Sequence, residues 1–590
     1  MSRRACYPRP DFRRETWMSL NGAWRFSFGD EEKDRMDQPP TLSQMPLTIE
    51  VPYVYQSELS GIGQTEAHDV VWYGKTFRLP DCFDARTHLI FGAVDWHCDL
   101  FVNGRYAGSH DGGYTPFRTD ITPFLRADGE QELILRVEDT LRCDQLRGKQ
   151  SWEEEPSRCW YTPSTGIWQS VWLERVSDNP IQSIHITPNL PQSEVRCEIS
   201  LNKPPKKDGQ FKIDVQYQGH PVAALTCKTK QMNVDLSVPI QPEDYIDEIH
   251  YWTPEHPNLY DVTVSYASDG QTDQVFTYFG FRDVCTRDGK TLLNHRPIYQ
   301  RLILHQGYYD GGLLTADTDE RYRTDLQTIK DMGFNGVRMH QKIEDPLFYY
   351  WADKIGLLVW GELPSCYEFS ELAMRRSFES MREFIQRDYN HPSIVCWVPL
   401  NESWGVRNIE QNAAQQRYAV SLYHFIKAMD STRWVSTNDG WEQVTTDFCT
   451  LHDYSFDGKA LSSRWDDLDA LLQSAAQDRM IFASGYQYTG QPILLTEFGG
   501  VAFKTNQSEK DWGYCAIEKN EASYIRRLTS LFSYIKTNRR IQGYCYTQFT
   551  DVMQETNGLL SIRREPKIAI DVIRAILFGT DDSEPISPVP

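Results

Sequence analysis

The 590-residue sequence lacks both a long apolar segment and an apolar leader. It has no run of about 18 apolar residues, the minimum for a membrane-spanning helix. Residues 1–8 carry charge, but no apolar run follows them as a signal peptide requires. We therefore expect no membrane partner and a cytoplasmic location.

Runs of basic residues are missing as well. The chain has 61 lysines and arginines against 82 aspartates and glutamates, a net charge of -21. Nucleic acids and anionic membranes attract basic surfaces, so neither is expected as the main partner. A neutral or mixed ligand fits this acidic balance better.

The cysteines lack the spacing of a metal site or a disulfide framework. There are 13, an odd number, and no C-x-x-C pair occurs among them. Such scattered cysteines are typical of reduced, buried thiols. We expect no redox cofactor and no metal ion.

What the sequence does contain is the material for several large cores. Hydrophobic residues make up 40% of the chain and aromatic residues 13%, without a low-complexity tract. A globular chain of this length divides into about four domains, or three if one is a large barrel.

Two β-rich stretches come first. Residues 1–178 contain short alternating runs such as Val71–Phe77, and Asn103-Gly104 is the turn that a type I′ hairpin favours. This stretch predicts an antiparallel β-sandwich. Residues 179–283 hold further strand-like runs, such as Phe211–Tyr217, over the length of an immunoglobulin-like sandwich.

From residue 284 the pattern changes to apolar strands that alternate with amphipathic helices. Eight strands are predicted at Tyr299–Leu304, Gly336–Met339, Leu357–Trp360, Ile394–Leu400, Trp434–Thr437, Phe448–Leu451, Ile493–Thr496 and Gly543–Thr547. Helices are predicted at Asp319–Met332, Asp345–Ile355, Glu371–Tyr389, Ile409–Met429 and Glu521–Thr537. Residues 284–580 therefore indicate a (β/α)8 TIM barrel, and residues 581–590 a disordered tail.

Two glutamates stand where a barrel places its chemistry, directly after apolar strands. Glu402 follows the fourth predicted strand and Glu497 the seventh. Carboxylates about 5–5.5 Å apart are the pair that retaining glycoside hydrolysis uses. A glutamate there can also cap a helix or pair with arginine, and Glu362 and Glu442 compete for the two roles.

Other polar and aromatic residues follow strands too. His305, His340 and His452 suit hydrogen bonds to a polar substrate or a place in the core, and a metal-dependent hydrolase is the alternative. Lys342 could bind an anionic substrate group or form an ion pair. The aromatic residues that could stack on a sugar are Trp404, Trp441 and Tyr454.

An ordered set of motifs resembles glycoside hydrolase family 2, the β-galactosidase and β-glucuronidase family, over nearly the whole chain. The motifs are Asn21–Trp24, Trp72–Phe77, Phe101–Gly104, Gly112–Phe117, Asp120–Thr122, Thr165–Trp172, Trp252–Tyr260, Asn401-Glu402 and Thr496–Gly499. The resemblance implies a jelly-roll sugar-binding sandwich, an immunoglobulin-like sandwich and a catalytic TIM barrel.

The resemblance also implies roles for individual residues. Glu402 would be the acid/base and Glu497 the nucleophile. Asn401 would bind the sugar 2-hydroxyl, Arg338 would orient the nucleophile, and Tyr454 matches an active-site tyrosine.

Departures from the family pattern concern the sugar pocket. Trp160 stands where several members have an acidic residue, and Tyr546–Gln548 replaces a strand-eight tryptophan. His340 matches the family histidine only within one position. The Asn-x-Lys pair of glucuronidases is missing at Asn557.

The prediction is a retaining exo-β-glycosidase that removes a terminal sugar and is most like a β-galactosidase. Its expected site residues are Glu402, Glu497, Asn401, Arg338, His305, His340, Lys342, Tyr454, Trp404 and Trp160. A β-glucuronidase, β-galacturonidase or arabinosidase is the alternative. A non-catalytic carbohydrate-binding protein and a homo-oligomer both stay open.

Overall fold

The structure is a computed structural model that describes residues 4–29, 39–127, 129–153, 155–206, 208–240, 249–473, 475–476, 479–503 and 511–579. The predicted disordered tail, 581–590, lies outside the described residues. No helix in the described part of the chain is long and apolar enough to cross a membrane.

The first part of the chain folds into two antiparallel sheets. One contains, in spatial order, Trp17–Ser19, Val171–Val176, Arg86–Phe91 and Phe117–Asp120. The other contains Leu47–Val51, Gly22–Phe28, Val70–Arg78, Glu130–Glu138, His97–Val102 and Arg105–Asp111. The predicted Asn103-Gly104 hairpin is confirmed, since both residues have positive φ, 52° and 75°.

Alternation of side chains builds the core of this sandwich. In Gly22–Phe28 the side chains of Trp24 and Phe26 are buried, while Arg25 between them is exposed. Because successive side chains of a strand point to opposite faces, each sheet presents one apolar face to the other. A two-stranded pair, Val94–Asp95 with Gly166–Ile167, joins them at one end.

The second sandwich has three strands facing four. The strands are Ile181–Asn189, Glu194–Leu201 and Asn233–Pro239 on one side, and His220–Thr229, Gly209–Tyr217, Tyr260–Ser268 and Gln271–Phe279 on the other. Phe12, from the start of the chain, is buried in its core. The predicted immunoglobulin-like sandwich is confirmed.

Eight parallel strands form the barrel, and in chain order we label them β1 to β8. They are Gln300–His305, Gly336–Met339, Leu358–Glu362, Ile394–Val398, Trp434–Val435, Cys449–Asp453, Ile493–Gly499 and Ile541–Thr547. Each strand pairs with its neighbours in chain order and β1 pairs with β8, while β5 and β6 form the two edges of the curled sheet. The predicted TIM barrel is confirmed.

The helices α1 to α8 surround the sheet. They are Asp319–Asp331, Pro346–Ile355, Glu371–Asp388, Ala413–Met429, Gly458–Trp465, Leu468–Gln473, Glu521–Thr537 and Ile570–Phe578. The segment between β5 and β6 has no helix. It contains the short strand Asn438–Asp439, which pairs with Leu400–Asn401 beyond the end of β4.

The first sandwich packs against the mouth of the barrel. Thr315 donates a hydrogen bond to the Trp168 carbonyl at 2.6 Å, and the Gly148 amide donates to the Ser365 carbonyl at 3.0 Å. Trp168 and Tyr161 belong to the same buried apolar cluster as the barrel helices. A loop of the sandwich is thereby held beside the carboxyl ends of the barrel strands.

Candidate active site

Arg338, at the end of β2, is the residue on which the buried carboxylates converge. Its guanidinium contacts Glu362 at 2.9 Å, Glu497 at 2.8 Å and Asp439 at 3.0 Å. It also donates a hydrogen bond to Asn401 Oδ1 at 2.6 Å. These contacts bring together side chains from β2, β3 and β7 and from the extensions of β4 and β5.

Glu497 lies inside β7 and is fixed by two donors. Arg338 Nη1 donates to its Oε1 at 2.8 Å, and the Tyr454 hydroxyl donates to its Oε2 at 2.5 Å. The side chain is 4% exposed, so its carboxylate faces the barrel mouth through a narrow opening. Two hydrogen bonds from opposite sides orient this carboxylate.

Glu402 lies in a turn that follows Leu400–Asn401. Glu402 and Ser403 both have left-handed φ, 50° and 56°, a conformation that non-glycine residues rarely adopt. The Glu402 amide donates to the Asp439 carbonyl at 2.9 Å and the Ser403 amide to Asn438 Oδ1 at 3.0 Å. Surrounding hydrogen bonds therefore hold a strained turn that points Glu402 at the site.

His452, in β6, links the two glutamates to Asp439. Its Nδ1 lies 2.8 Å from Glu402 Oε1 and 3.5 Å from Glu497 Oε2, and its Nε2 lies 2.9 Å from Asp439 Oδ2. Oxygen atoms of Glu402 and Glu497 lie within 4.8 Å of each other. The two carboxylates thus face one another across the barrel mouth.

The charges around His452 control its protonation. Burial lowers the pKa of His452, but Glu497, Asp439 and Glu402 outweigh burial and raise it to about 10. Burial likewise raises the pKa of Glu402, but the hydrogen bond and charge of His452 lower it below its ordinary value. Glu402 is therefore ionised beside an imidazolium.

The same protonation bears on metal binding. Glu402, His452 and Glu497 are close enough to ligate one ion. A metal needs a neutral imidazole, whereas both nitrogens of His452 contact carboxylates and its pKa is raised to about 10. As long as His452 is protonated, its ring cannot ligate an ion.

Glu362 and His340 form a second layer beneath Arg338. Burial raises the pKa of Glu362 to about 8, against the opposing charge of Arg338. His340 Nδ1 lies 3.2 Å from Glu362 Oε1, and burial together with Arg338 lowers the pKa of His340 well below its usual value. At neutral pH His340 is therefore uncharged.

Aromatic rings border the site next to Glu402. Trp160 of the first sandwich packs edge-on against Trp404 at 5.1 Å, and Tyr367 packs against both. Arg407 lies over the Trp404 ring at 3.5 Å. The rings predicted from the sequence as Trp160 and Trp404 are therefore neighbours, although they lie in different domains.

Two predicted residues are not part of this arrangement. Lys342 donates to the carbonyls of Gly307 and Leu314 and to Glu344, so all three hydrogens of its ammonium have acceptors within the protein. His305 accepts from the Gly307 amide and lies 3.6 Å from Asp325. Both side chains thus lie outside the cluster of Glu402 and Glu497, and substrate binding by Lys342 and His305 stays a prediction.

Glu442, which competes with Glu402 and Glu497 for their roles in the sequence analysis, also has hydrogen-bond partners within the protein. It accepts from the Ser403 hydroxyl at 2.6 Å and from Arg479 at 3.0 Å, so it supports the turn of Glu402 from behind. Trp441 packs edge-on against His452 at 5.5 Å. Both residues lie beside the carboxylate pair without joining it.

Sequence reasoning missed Lys149 and Glu555. Lys149 comes from a loop of the first sandwich, and Glu555 follows β8. Neither follows directly after a predicted barrel strand, the position that pointed to Glu402 and Glu497. No motif in the sequence around Lys149 or Glu555 indicates that these residues lie near the site.

Comparison with known proteins assigns each part of the chain. Residues 17–175 match the model "Glycosyl hydrolases family 2, sugar binding domain", residues 179–282 match "Glycosyl hydrolases family 2", and residues 284–576 match "Glycosyl hydrolases family 2, TIM barrel domain". The three matches follow one another in the order of the three folded units.

Individual relatives are more distant. A β-galactosidase of Thermoanaerobacter pseudethanolicus is 28% identical over 65% of this chain, which spans only 50% of that protein. A β-glucuronidase of Streptococcus agalactiae is 24% identical over 95% of this chain and 96% of its own length.

Among solved structures, a family 2 β-galacturonidase of Eisenbergiella tayi bound to galacturonate has a TM-score of 0.75 at 21% identity, covering 97% of this chain and 98% of that one. The likeness extends through both sandwiches and the barrel. With family models matched in order from residue 17 to residue 576, the chain belongs to glycoside hydrolase family 2.

Proposed function

We propose that the protein is a retaining exo-β-glycosidase that removes a terminal sugar by double displacement and is β-galactosidase-like in its substrate. The observation that carries the proposal is the pair Glu402 and Glu497, whose oxygens lie within 4.8 Å of each other. Retaining enzymes hold their two carboxyl groups about 5–5.5 Å apart, too close for a water molecule to attack directly.

In the first step Glu497 attacks the anomeric carbon and the bond to the leaving oxygen breaks. Arg338 and Tyr454 hold Glu497 in place through its two oxygens. Because Glu402 is ionised at rest, the proton for the leaving oxygen comes from His452 Nδ1, 2.8 Å from Glu402 Oε1, and Glu402 passes it on. Asp439, on the other nitrogen of the ring, stabilises the imidazolium.

In the second step a water molecule breaks the glycosyl–Glu497 bond. Glu402, again ionised, takes a proton from that water and returns it to His452, which restores the starting state. Asn401 is held by Arg338 at the edge of the site, where it can bind the sugar 2-hydroxyl. Interactions with that hydroxyl strengthen in the transition state.

A β-glucuronidase or β-galacturonidase is the second candidate, and an arabinosidase a third. The support for a uronide is the similarity to a β-glucuronidase over nearly the whole of both chains and the fold shared with a β-galacturonidase.

The test uses 4-nitrophenyl β-glycosides of galactose, glucuronate, galacturonate and arabinose. Glu497→Gln should abolish turnover. Glu402→Gln should lower kcat by about 10²–10⁴-fold on substrates with poor leaving groups, because general acid catalysis supplies about that factor. It should spare substrates with activated leaving groups.

Glu371→Gln, on the exposed first turn of α3, is the matched control and should keep wild-type rates. Wild-type rates in Glu497→Gln or in Glu402→Gln on a natural substrate would refute the assignment. An inactive wild-type protein that still binds sugars would favour a carbohydrate-binding role.

A further inference from the structure

A loop of the first sandwich delivers one lysine to the barrel mouth. The loop joins strands Glu130–Glu138 and Gly166–Ile167. Its backbone is tied down on both sides of Lys149, because the Tyr367 hydroxyl donates to the Gly148 carbonyl at 2.5 Å and the Tyr161 amide to the Lys149 carbonyl at 2.8 Å. Lys149 is therefore a fixed feature of the site.

The ammonium of Lys149 is buried beside acids without being paired to one. The residue is 6% exposed, and no carboxylate of the described residues lies within 4.0 Å of its Nζ. Burial lowers the pKa of Lys149, but the Cys159 thiol and the carboxylates of Glu555 and Glu497 outweigh burial and raise it. Lys149 therefore stays charged, and more than 4.0 Å separates its Nζ from every described carboxylate oxygen.

Glu555 is the acid that responds most to this lysine. Burial raises the pKa of Glu555, and Lys149 is the strongest influence that lowers it. Its carboxyl group accepts from the Tyr161 hydroxyl at 2.5 Å and from Asn557 Nδ2 at 3.1 Å. Glu555 is fully buried, so its orientation is fixed as firmly as that of Lys149.

Further polar groups around this pair lack partners. Gln306 donates to the Tyr161 hydroxyl at 2.7 Å, while its Oε1 is buried with no hydrogen-bond partner among the described residues. The ring of Tyr308 packs on that of Tyr161 with 4.7 Å between the centroids, and the Tyr308 hydroxyl is also buried without a hydrogen-bond partner among the described residues. A polar molecule bound here could supply the hydrogen bonds that both atoms lack.

Two other buried cations of the site, Arg338 and His452, are already paired. Arg338 contacts three carboxylates, and His452 contacts Glu402, Glu497 and Asp439. Lys149 is a buried cation of the site with no described carboxylate within 4.0 Å of its Nζ, and the charge of Glu555 acts on it. A carboxylate ligand accepts hydrogen bonds only, so Glu555 would repel it. A hydroxyl accepts from an ammonium and donates to a carboxylate at once.

Resting on the glycosidase function proposed above, we propose that Lys149 and Glu555 together bind one hydroxyl of a neutral glycone. Lys149 donates to the hydroxyl oxygen and the hydroxyl donates to Glu555. The pair thereby selects neutral β-glycosides over uronides, and the first sandwich supplies a specificity-determining residue to the barrel.

The test compares wild type, Lys149→Met and Glu555→Gln on neutral aryl β-glycosides, on their monodeoxy analogues, and on the glucuronide and galacturonide. Each variant should lose about 10- to 100-fold in kcat/KM on the best neutral substrate, the value of a hydrogen bond to a charged group. For one deoxy analogue, which lacks the bound hydroxyl, wild type and Lys149→Met should be equal. Lys75→Met, a half-buried lysine of the same sandwich, is the matched control with unchanged kinetics.

The outcomes separate the two proposals. A wild-type protein that cleaves no β-glycoside contradicts the proposed function itself. Wild-type turnover with unchanged kinetics in Lys149→Met overturns only the role of Lys149. A wild-type preference for a uronide, or a loss in Lys149→Met that is equal for every deoxy analogue, overturns the binding of a neutral hydroxyl. Melting temperatures of all variants exclude loss of folding as the cause.

Discussion

Arg338 is a single side chain on which the geometry of the site depends. It is fully buried and lies among three carboxylates, an arrangement that is stable only when every charge has a partner. Its planar guanidinium holds Glu497 and Asn401 at the same time. The resemblance implied that Arg338 orients the nucleophile, and the contact of 2.8 Å supports that role.

His452 is the residue whose protonation we expect to control the pH profile. Its pKa is raised to about 10, so the imidazolium keeps its proton through neutral pH, and in the proposed mechanism Glu402 passes that proton to the leaving oxygen. In His452→Asn this proton is lost, so Glu402 must itself be protonated before it can donate a proton to the leaving oxygen. The alkaline limb of kcat/KM should therefore move to lower pH by at least about one unit, the equivalent of about 1.4 kcal/mol.

His424→Asn, on the exposed face of α4, is the control and should keep the wild-type pH profile. The measurement is kcat/KM between pH 5 and 11 on a substrate with a poor leaving group. An unchanged alkaline limb in His452→Asn would mean that Glu402 works without the imidazole.

At the scale of elements, helix caps and prolines decide where helices and strands begin and end. The apolar periodicity of the sequence predicted some of these ends a few residues away. The predicted helix Ile409–Met429 begins only at Ala413, because the Asn412 side chain accepts hydrogen bonds from the Ala414 and Gln415 amides. The predicted strand Ile394–Leu400 divides into β4 and Leu400–Asn401 around Pro399, which has no amide hydrogen to donate. This break turns Asn401 and Glu402 toward the site.

The loop that carries Lys149 depends on one glycine. Gly148 has φ of 59°, and a Cβ there would lie 2.3 Å from the Gln341 carbonyl oxygen. Gly148→Ala should displace the loop from the barrel mouth and lower kcat/KM at least about tenfold, since small misplacements in a site are costly. Steady-state kinetics on a neutral aryl glycoside would measure the effect.

Gly104 offers the matched control. It also has positive φ, 75°, but no atom lies within 4 Å of a Cβ built there. Gly104→Ala should cost about 1 kcal/mol of stability and leave kcat/KM unchanged. Equal kinetics in Gly148→Ala and wild type would show that the loop tolerates displacement.

At the scale of the whole molecule, the three folded units are joined by buried charges and a shared apolar core. Arg14 contacts Glu174 of the first sandwich at 2.8 Å and Asp273 of the second at 2.9 Å. Val54, Tyr161 and Trp168 of the first sandwich pack in one cluster with barrel residues. The barrel mouth is therefore built jointly by two units.

Arg14→Met should destabilise the molecule by about 3–5 kcal/mol, because it leaves two buried carboxylates without their cation. The control is Arg196→Met, which removes an arginine with two exposed carboxylate partners, Glu198 and Asp235, and should cost less than about 1 kcal/mol. Urea unfolding of both variants measures the difference. Equal losses in the two variants would contradict a linking role for Arg14.

The sequence by itself determined the architecture and pointed to Glu402 and Glu497 as candidates, with Glu362 and Glu442 as competitors. Apolar periodicity and the polar residue after each strand are local properties, so the barrel strands, Glu402 and Glu497 could be predicted within a residue or two. The limits of the three domains remain predictions of the same kind.

Only the tertiary structure decided which polar residues meet. Lys342 and His305 follow strands as Glu402 does, yet Lys342 pairs with Glu344 and His305 lies beside Asp325 rather than in the carboxylate cluster. Lys149 follows no barrel strand, yet a sandwich loop brings its charge to Glu497, 348 positions later in the chain. Burial and charge pairing depend on distances between residues far apart in sequence, and those distances exist only once all three units have packed together.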